Sequence, residues 1–77
     1  MTTDFISLLP LEERRTVLKQ RIQQLAAEGY QHQLNREGAQ RNGKQDLILE
    51  AEQKIIEIGN VIQIYQRDLN ALPPEQG

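Results

Sequence analysis

The sequence predicts an all-α fold, an antiparallel helical hairpin with two long helices at roughly 8–37 and 44–72. Three observations carry that expectation. The strong breakers Pro10, Gly38, Gly43 and Pro73-Pro74 leave two long segments of nearly equal length between them. The intervening stretch Gly38-Ala39-Gln40-Arg41-Asn42-Gly43 closes on an Asn-Gly pair. Both residues accept positive φ at little cost, so 38–43 reads as the hairpin tip. In the second segment, Ile48, Ala51, Ile55, Ile58, Ile62, Tyr65, Leu69 and Leu72 alternate spacings of three and four without a miss. Such a heptad seam keeps one stripe turned toward a neighbouring helix.

Residues 1–7 form an apolar lead segment, with Phe5 and Ile6 followed closely by Leu8 and Leu9. It has two readings: a lid folded back over the end of the bundle, or a short linear peptide held by a partner. Ser7 is expected to cap the first long helix, with Pro10 in its first turn, where a missing N–H does no harm. Glu12 and Glu13 then favour the positive end of the helix dipole.

The seam of the first long helix is weaker. Leu11, Leu18, Ile22 and Leu25 recur at seven, four and three, and the stripe is expected to continue into Ala26, Gly29 and Gln33, with Tyr30 and Leu34 at its edge. Arg14, Arg15, Lys19 and Arg21 flank it, and their aliphatic stems can cover part of the seam while the charges stay in water. Gly29 costs a helix about 1 kcal/mol relative to alanine. A close approach of the second helix would account for it; a break near Glu28 is the other reading, and a continuous helix is the expectation.

On the second long helix, Gly59 takes heptad position e, and Leu47 and Val61 take g, which widens the buried face. Leu49, Ile56 and Ile64 fall at b and c, where one antiparallel neighbour leaves them wet. Isolated surface apolar residues are common, but three on the outer flank favour a second contact surface. Residues 73–77 cannot extend the helix and form a frayed tail.

Size points the same way. A chain of 77 residues is one domain, and one this short buries only about 60% of the surface it exposes when unfolded. Hydrophobic residues make up 38% and aromatics 4%, so the core is thin and self-association, as a dimer forming a four-helix bundle, is expected. There is no cysteine, hence no disulfide framework and no thiolate metal site. The N-terminus lacks the basic and apolar regions of a signal peptide, and no apolar run is long enough for a membrane span, so a cytoplasmic location and no membrane partner are expected.

Catalytic chemistry has no support in the residues. His32 is the only histidine and, with Glu28 and Glu37 nearby, lacks the Glu-x-x-His spacing of a carboxylate-bridged metal pair; it reads as an exposed surface residue. Ser7 is the only serine, with no base or oxyanion hole indicated. No phosphate-cradling glycine pattern is present. Neither enzyme activity, cofactor nor metal is expected. The expected function is a protein-protein interaction module: a small adaptor, assembly factor or inhibitor, of the kind found as bacterial or phage accessory proteins. Self-association would use Ile48, Ile55, Ile58, Ile62, Tyr65 and Leu69 with Leu11, Leu18, Ile22 and Leu25. A protein partner would be held by Leu49, Ile56 and Ile64 or by Phe5, Ile6, Leu8 and Leu9.

The alternative is a nucleic-acid-binding dimer using Arg14, Arg15, Lys19, Arg21, Arg36, Arg41 and Lys44. Residues 29–44 carry a net +2 and residues 45–72 a net −3, while the whole chain is −2 at neutral pH. The whole chain therefore exerts no general attraction on phosphate. The opposite signs also suit antiparallel pairing of helices. Glutamine, at eleven positions, dominates the outer surface. It is both a good helix former and a residue that desolvates at less cost than lysine or glutamate. In shape the hairpin is similar to those that pair into four-helix bundles, the plasmid RNA-binding Rop type among them, though no motif of theirs is present; the Ser-Gln-Glu-Leu-Asp signature of helical-hairpin phosphatases is likewise missing.

Overall fold

The computed structural model describes residues 5–74, the side chain of Ser7 excepted. A four-residue helix α1 (Phe5–Leu8) leads into α2 (Leu11–Arg41), which turns back into α3 (Gln45–Ala71). The two long helices pack against each other, and no strand occurs among the described residues. At 1.5 Å per residue they are about 46 Å and 40 Å long.

Pro10 is the N-cap of α2, with extended backbone (φ −57°, ψ 153°), and its carbonyl accepts the first helical hydrogen bond from the Arg14 N–H at 3.0 Å. This corrects the expected start near residue 8 and the expected cap: Pro10 caps α2 with no side-chain cap bond, the backbone of Ser7 belongs to α1, and the Ser7 side chain lies outside the described atoms. α2 passes through Gly29 without a break. A Cβ placed on Gly29 would stand 3.6 Å from Ile58 Cγ2, so the glycine sits where α3 comes close.

The tip is shorter than 38–43. α2 runs on to Arg41, and only residues 42–44 lie between the helices. Gly43 has φ +65°. Its N–H bonds to the Gln40 carbonyl at 3.2 Å, and the Lys44 N–H bonds to the Ala39 carbonyl at 2.9 Å. Those two bonds around a left-handed glycine are a Schellman ending. The Asn42 side-chain amide adds a 2.9 Å bond to the Gly38 carbonyl. A Cβ at Gly43 would meet nothing within 4 Å, so backbone strain alone sets the cost of replacing it. Gly43→Ala is expected to destabilise the hairpin by about 1–2 kcal/mol, with Gly43→Asn costing less. Thermal melts of both variants at one protein concentration check this; an unchanged midpoint for the alanine variant would sink it.

The approach of Ile58 to Gly29 fixes the register. In an antiparallel pair the level residues keep a constant sum of numbers, which sets Leu25 against Ile62, Ile22 against Tyr65, and Leu18 against Leu69. Toward the tip, the same rule sets His32 against Ile55, Arg36 against Ala51, and Ala39 against Ile48. Every one of these residues is buried or half-buried, and so are Arg15 and Leu72 at the open end. The α2 seam is therefore Leu11, Arg15, Leu18, Ile22, Leu25, Gly29, His32, Arg36 and Ala39, an unbroken alternation of four and three. Two expectations are corrected. Ala26 and Gln33 are exposed, outside the stripe, and His32 is half-buried within it.

What this seam does not build is a closed core. Leu25, Ala39 and Ala51 are the buried apolar residues among those described, each 6% exposed, and no large side chain is fully enclosed. The molecule measures 50 × 36 × 15 Å, its thinnest dimension little more than the ~10–12 Å diameter of one helix. Its radius of gyration is 16.9 Å, where a compact domain of this length has about 11.5 Å. A single layer of two helices leaves both broad faces open to solvent.

Candidate functional site

Heptad geometry assigns the side chains of the two faces. In an antiparallel pair the e positions of both helices, with b beside them, share one face, and the g and c positions share the other. The surface grooves follow that division. One, of about 610 Å³ beside the tip, is lined by Asn35, Gly38, Leu47, Glu50 and Lys54 from g and c, together with seam residues such as Ala39 and Ala51. The other, of about 460 Å³, is lined by Tyr30, Gln33, Glu37 and Gln40 from e and b, with Leu34 and Arg36.

The faces differ in chemistry. The g/c face carries Arg14, Arg21 and Glu28 from α2, and Glu50, Lys54, Glu57 and Asp68 from α3. Its apolar members, exposed Val17, Leu47 and Ile64 and half-buried Val61, share the face with those charges. The e/b face carries no charge between Gln23 and Gln33 on α2 or between Ile56 and Asn70 on α3. There the surface is built from Gln23, Ala26, Tyr30, Ile56, Gly59 and Gln63, with Tyr30 62% and Ile56 57% exposed. Loss of charge at the centre with tyrosine present is the compositional mark of an interface core.

Of the partner-binding residues expected from sequence, Leu49, Ile56 and Ile64 are all exposed. So are Phe5, Ile6, Leu8 and Leu9 of the lead segment, Phe5 at 70%. Within the described residues, then, these side chains do not fold back as a lid; residues 1–4 and the tail residues 75–77 lie outside the description. The residues expected to self-associate form the seam between the two helices of one chain, where Leu25 is buried and the others are half-buried.

The seven basic residues do not form one surface. Arg15 is buried: its guanidinium donates to the Pro73 carbonyl, and its Nε lies 3.7 Å from Glu12 Oε2. Arg14 and Arg36 are half-buried. Arg21 donates to Gln24 Oε1 at 3.2 Å, and Arg41 pairs with Glu37 at 2.8 Å. Lys19 and Lys44 are exposed. Among the described residues no group of three or more histidine, cysteine, aspartate or glutamate side chains could hold a metal ion, and no helix is long and apolar enough to cross a membrane.

Sequence reasoning missed the second half of the α2 seam and the difference between the two faces. Both could have been found by laying α2 antiparallel on the strong α3 heptad and reading which residues fall level. Fold and surface together define a helical hairpin with a half-covered seam, one broad face uncharged at its centre and an exposed apolar lead helix. No protein-family model, no curated protein and no solved structure matches this chain.

Proposed function

We propose that the protein is a non-enzymatic protein-protein interaction module, a small adaptor, assembly factor or inhibitor, that self-associates through its helices and presents Phe5, Ile6, Leu8 and Leu9 to a protein partner. One observation carries the reading: the chain exposes 6308 Å² of surface, whereas a compact monomer of 8.9 kDa exposes ~4,800 Å². The difference of ~1,500 Å² per chain is the scale of a homodimer interface rather than of a passing contact. Exposed Phe5, Ile6 and Leu8 of the lead helix and exposed Tyr30, Leu49, Ile56 and Ile64 of the broad faces contribute to it. A dimer of hairpins forming a four-helix bundle would turn the partly covered seam into a core.

Sedimentation equilibrium of the full chain over a wide concentration range tests the self-association. Dimer or higher mass that dissociates on dilution is the expected result; a monomer of full helicity at every concentration would overturn it. A gel-shift titration with RNA and DNA tests the reading at its other end. Tight binding that falls steeply with salt would replace the protein-binding module with a nucleic-acid-binding one.

A further inference from the structure

We infer that the occupant of the e/b face is a second copy of this chain, seated over Tyr30, Ile56 and Gly59, and that Gly59 is a glycine because the second copy approaches the backbone there. This rests on the self-association proposed above and adds to it the face and the contact. Three observations converge on it. The surface in excess of a compact monomer matches what one side of a homodimer covers. Of the two broad faces, only this one has an uncharged centre, so burying it strands no ion. And the helical glycines differ in their surroundings: Gly29 meets Ile58 of its own chain, while a Cβ on Gly59, as on Gly38 across the hairpin, would meet nothing within 4 Å.

The uncharged surroundings of Gly59 on the e/b face single it out from Gly38, which lines a groove with Lys44, Glu50 and Lys54. A glycine in the middle of a helix weakens it relative to alanine, and within the single chain nothing opposes a side chain at position 59. A second backbone does oppose one. Identical copies also fit a uniform, uncharged patch of Gln, Ala, Tyr and Ile better than a partner selected by charge would, because a two-fold contact sets each residue type against the same surface.

The test compares Gly59→Gln with Ile64→Glu by sedimentation equilibrium, with far-ultraviolet circular dichroism as the check on folding. Gly59→Gln adds volume without charge on the e/b face, and Ile64→Glu adds charge on the opposite one. The expected result is a dimer dissociation constant raised at least tenfold by Gly59→Gln, with helicity kept or increased, and changed less than about twofold by Ile64→Glu, as for a surface change outside an interface. Unchanged or tighter association of the Gly59→Gln protein overturns the inference while leaving self-association standing, as does dissociation caused by Ile64→Glu alone. A wild-type chain that is monomeric throughout overturns both.

Discussion

Leu25→Ala is expected to remove about 2–3 kcal/mol of stability, the largest loss from any single truncation of the seam. Leu25 is 6% exposed, near the middle of α2, and stands level with Ile62. Truncation forfeits the transfer energy of the lost carbons and leaves a gap that neighbours close only in part. Because the molecule is one layer thick, the helices can settle into the gap, which places the cost toward the lower end of the usual range for such substitutions. A small core supplies roughly 3–5 kcal/mol in total, so even that loss unfolds a large fraction of the protein. Urea titration at one protein concentration measures it, since any self-association would make stability concentration-dependent. Leu34→Ala serves as the comparison, because Leu34 is 47% exposed and outside the seam; its cost is expected to stay within about 0.5–1 kcal/mol. Equal shifts from the two substitutions would mean that the register drawn from Gly29 and Ile58 is wrong.

The same register explains which parts of the structure were legible beforehand. α3 fills every seam position from Ile48 to Leu72 with an aliphatic residue or tyrosine, so its hydrophobic period alone reveals the helix and its inward face. α2 obeys the same spacing but fills its seam with Arg15, Gly29, His32, Arg36 and Ala39 as well as leucine and isoleucine. Hydropathy reads those residues as polar or neutral and follows Ala26 and Gln33 instead. Arginine stems and a glycine can occupy a seam only when the facing residues fit them, as Ile58 fits Gly29, and that fit is a property of two helices together. At the tip, Gly38 resembles a helix terminator, yet the helix carries on because Ala39 is still a buried seam residue and Gly43 alone supplies the positive φ that the reversal requires. At the start, the turn chemistry around Pro10 was visible, but a separate short helix at Phe5–Leu8 left no periodic trace, since four residues make barely one turn. The candidate surface was legible in kind, as apolar residues outside the seam, and not in place. Which face loses its charges depends on how the helices are laid against each other.

Arg15 gives the second large effect, and its sign depends on which part of the side chain matters. Arg15→Ala is expected to cost about 1.5–2 kcal/mol, because the aliphatic stem is buried at 9% exposure and its two methylenes beyond Cβ are lost at ~0.8 kcal/mol each. The hydrogen bond from its guanidinium to the Pro73 carbonyl ties the open end of the hairpin shut. Pro73 is exposed, however, so water can take over that carbonyl once the guanidinium is gone, and the acceptor is not left stranded. A buried charge exchanged for an apolar chain of similar length is often close to neutral in stability. Arg15→Met is therefore expected to recover most of the loss, ending within about 1 kcal/mol of the wild type. Denaturant titration of the two variants side by side separates the contributions: if methionine costs as much as alanine, the bond to Pro73 holds the open end and the stem is incidental. Hydrogen exchange at the amides of Leu69 to Leu72 adds a local reading. Fast exchange there in the alanine variant and near-normal protection in the methionine variant would place Arg15 among the struts of the seam, as a packed stem whose guanidinium meets the Pro73 carbonyl.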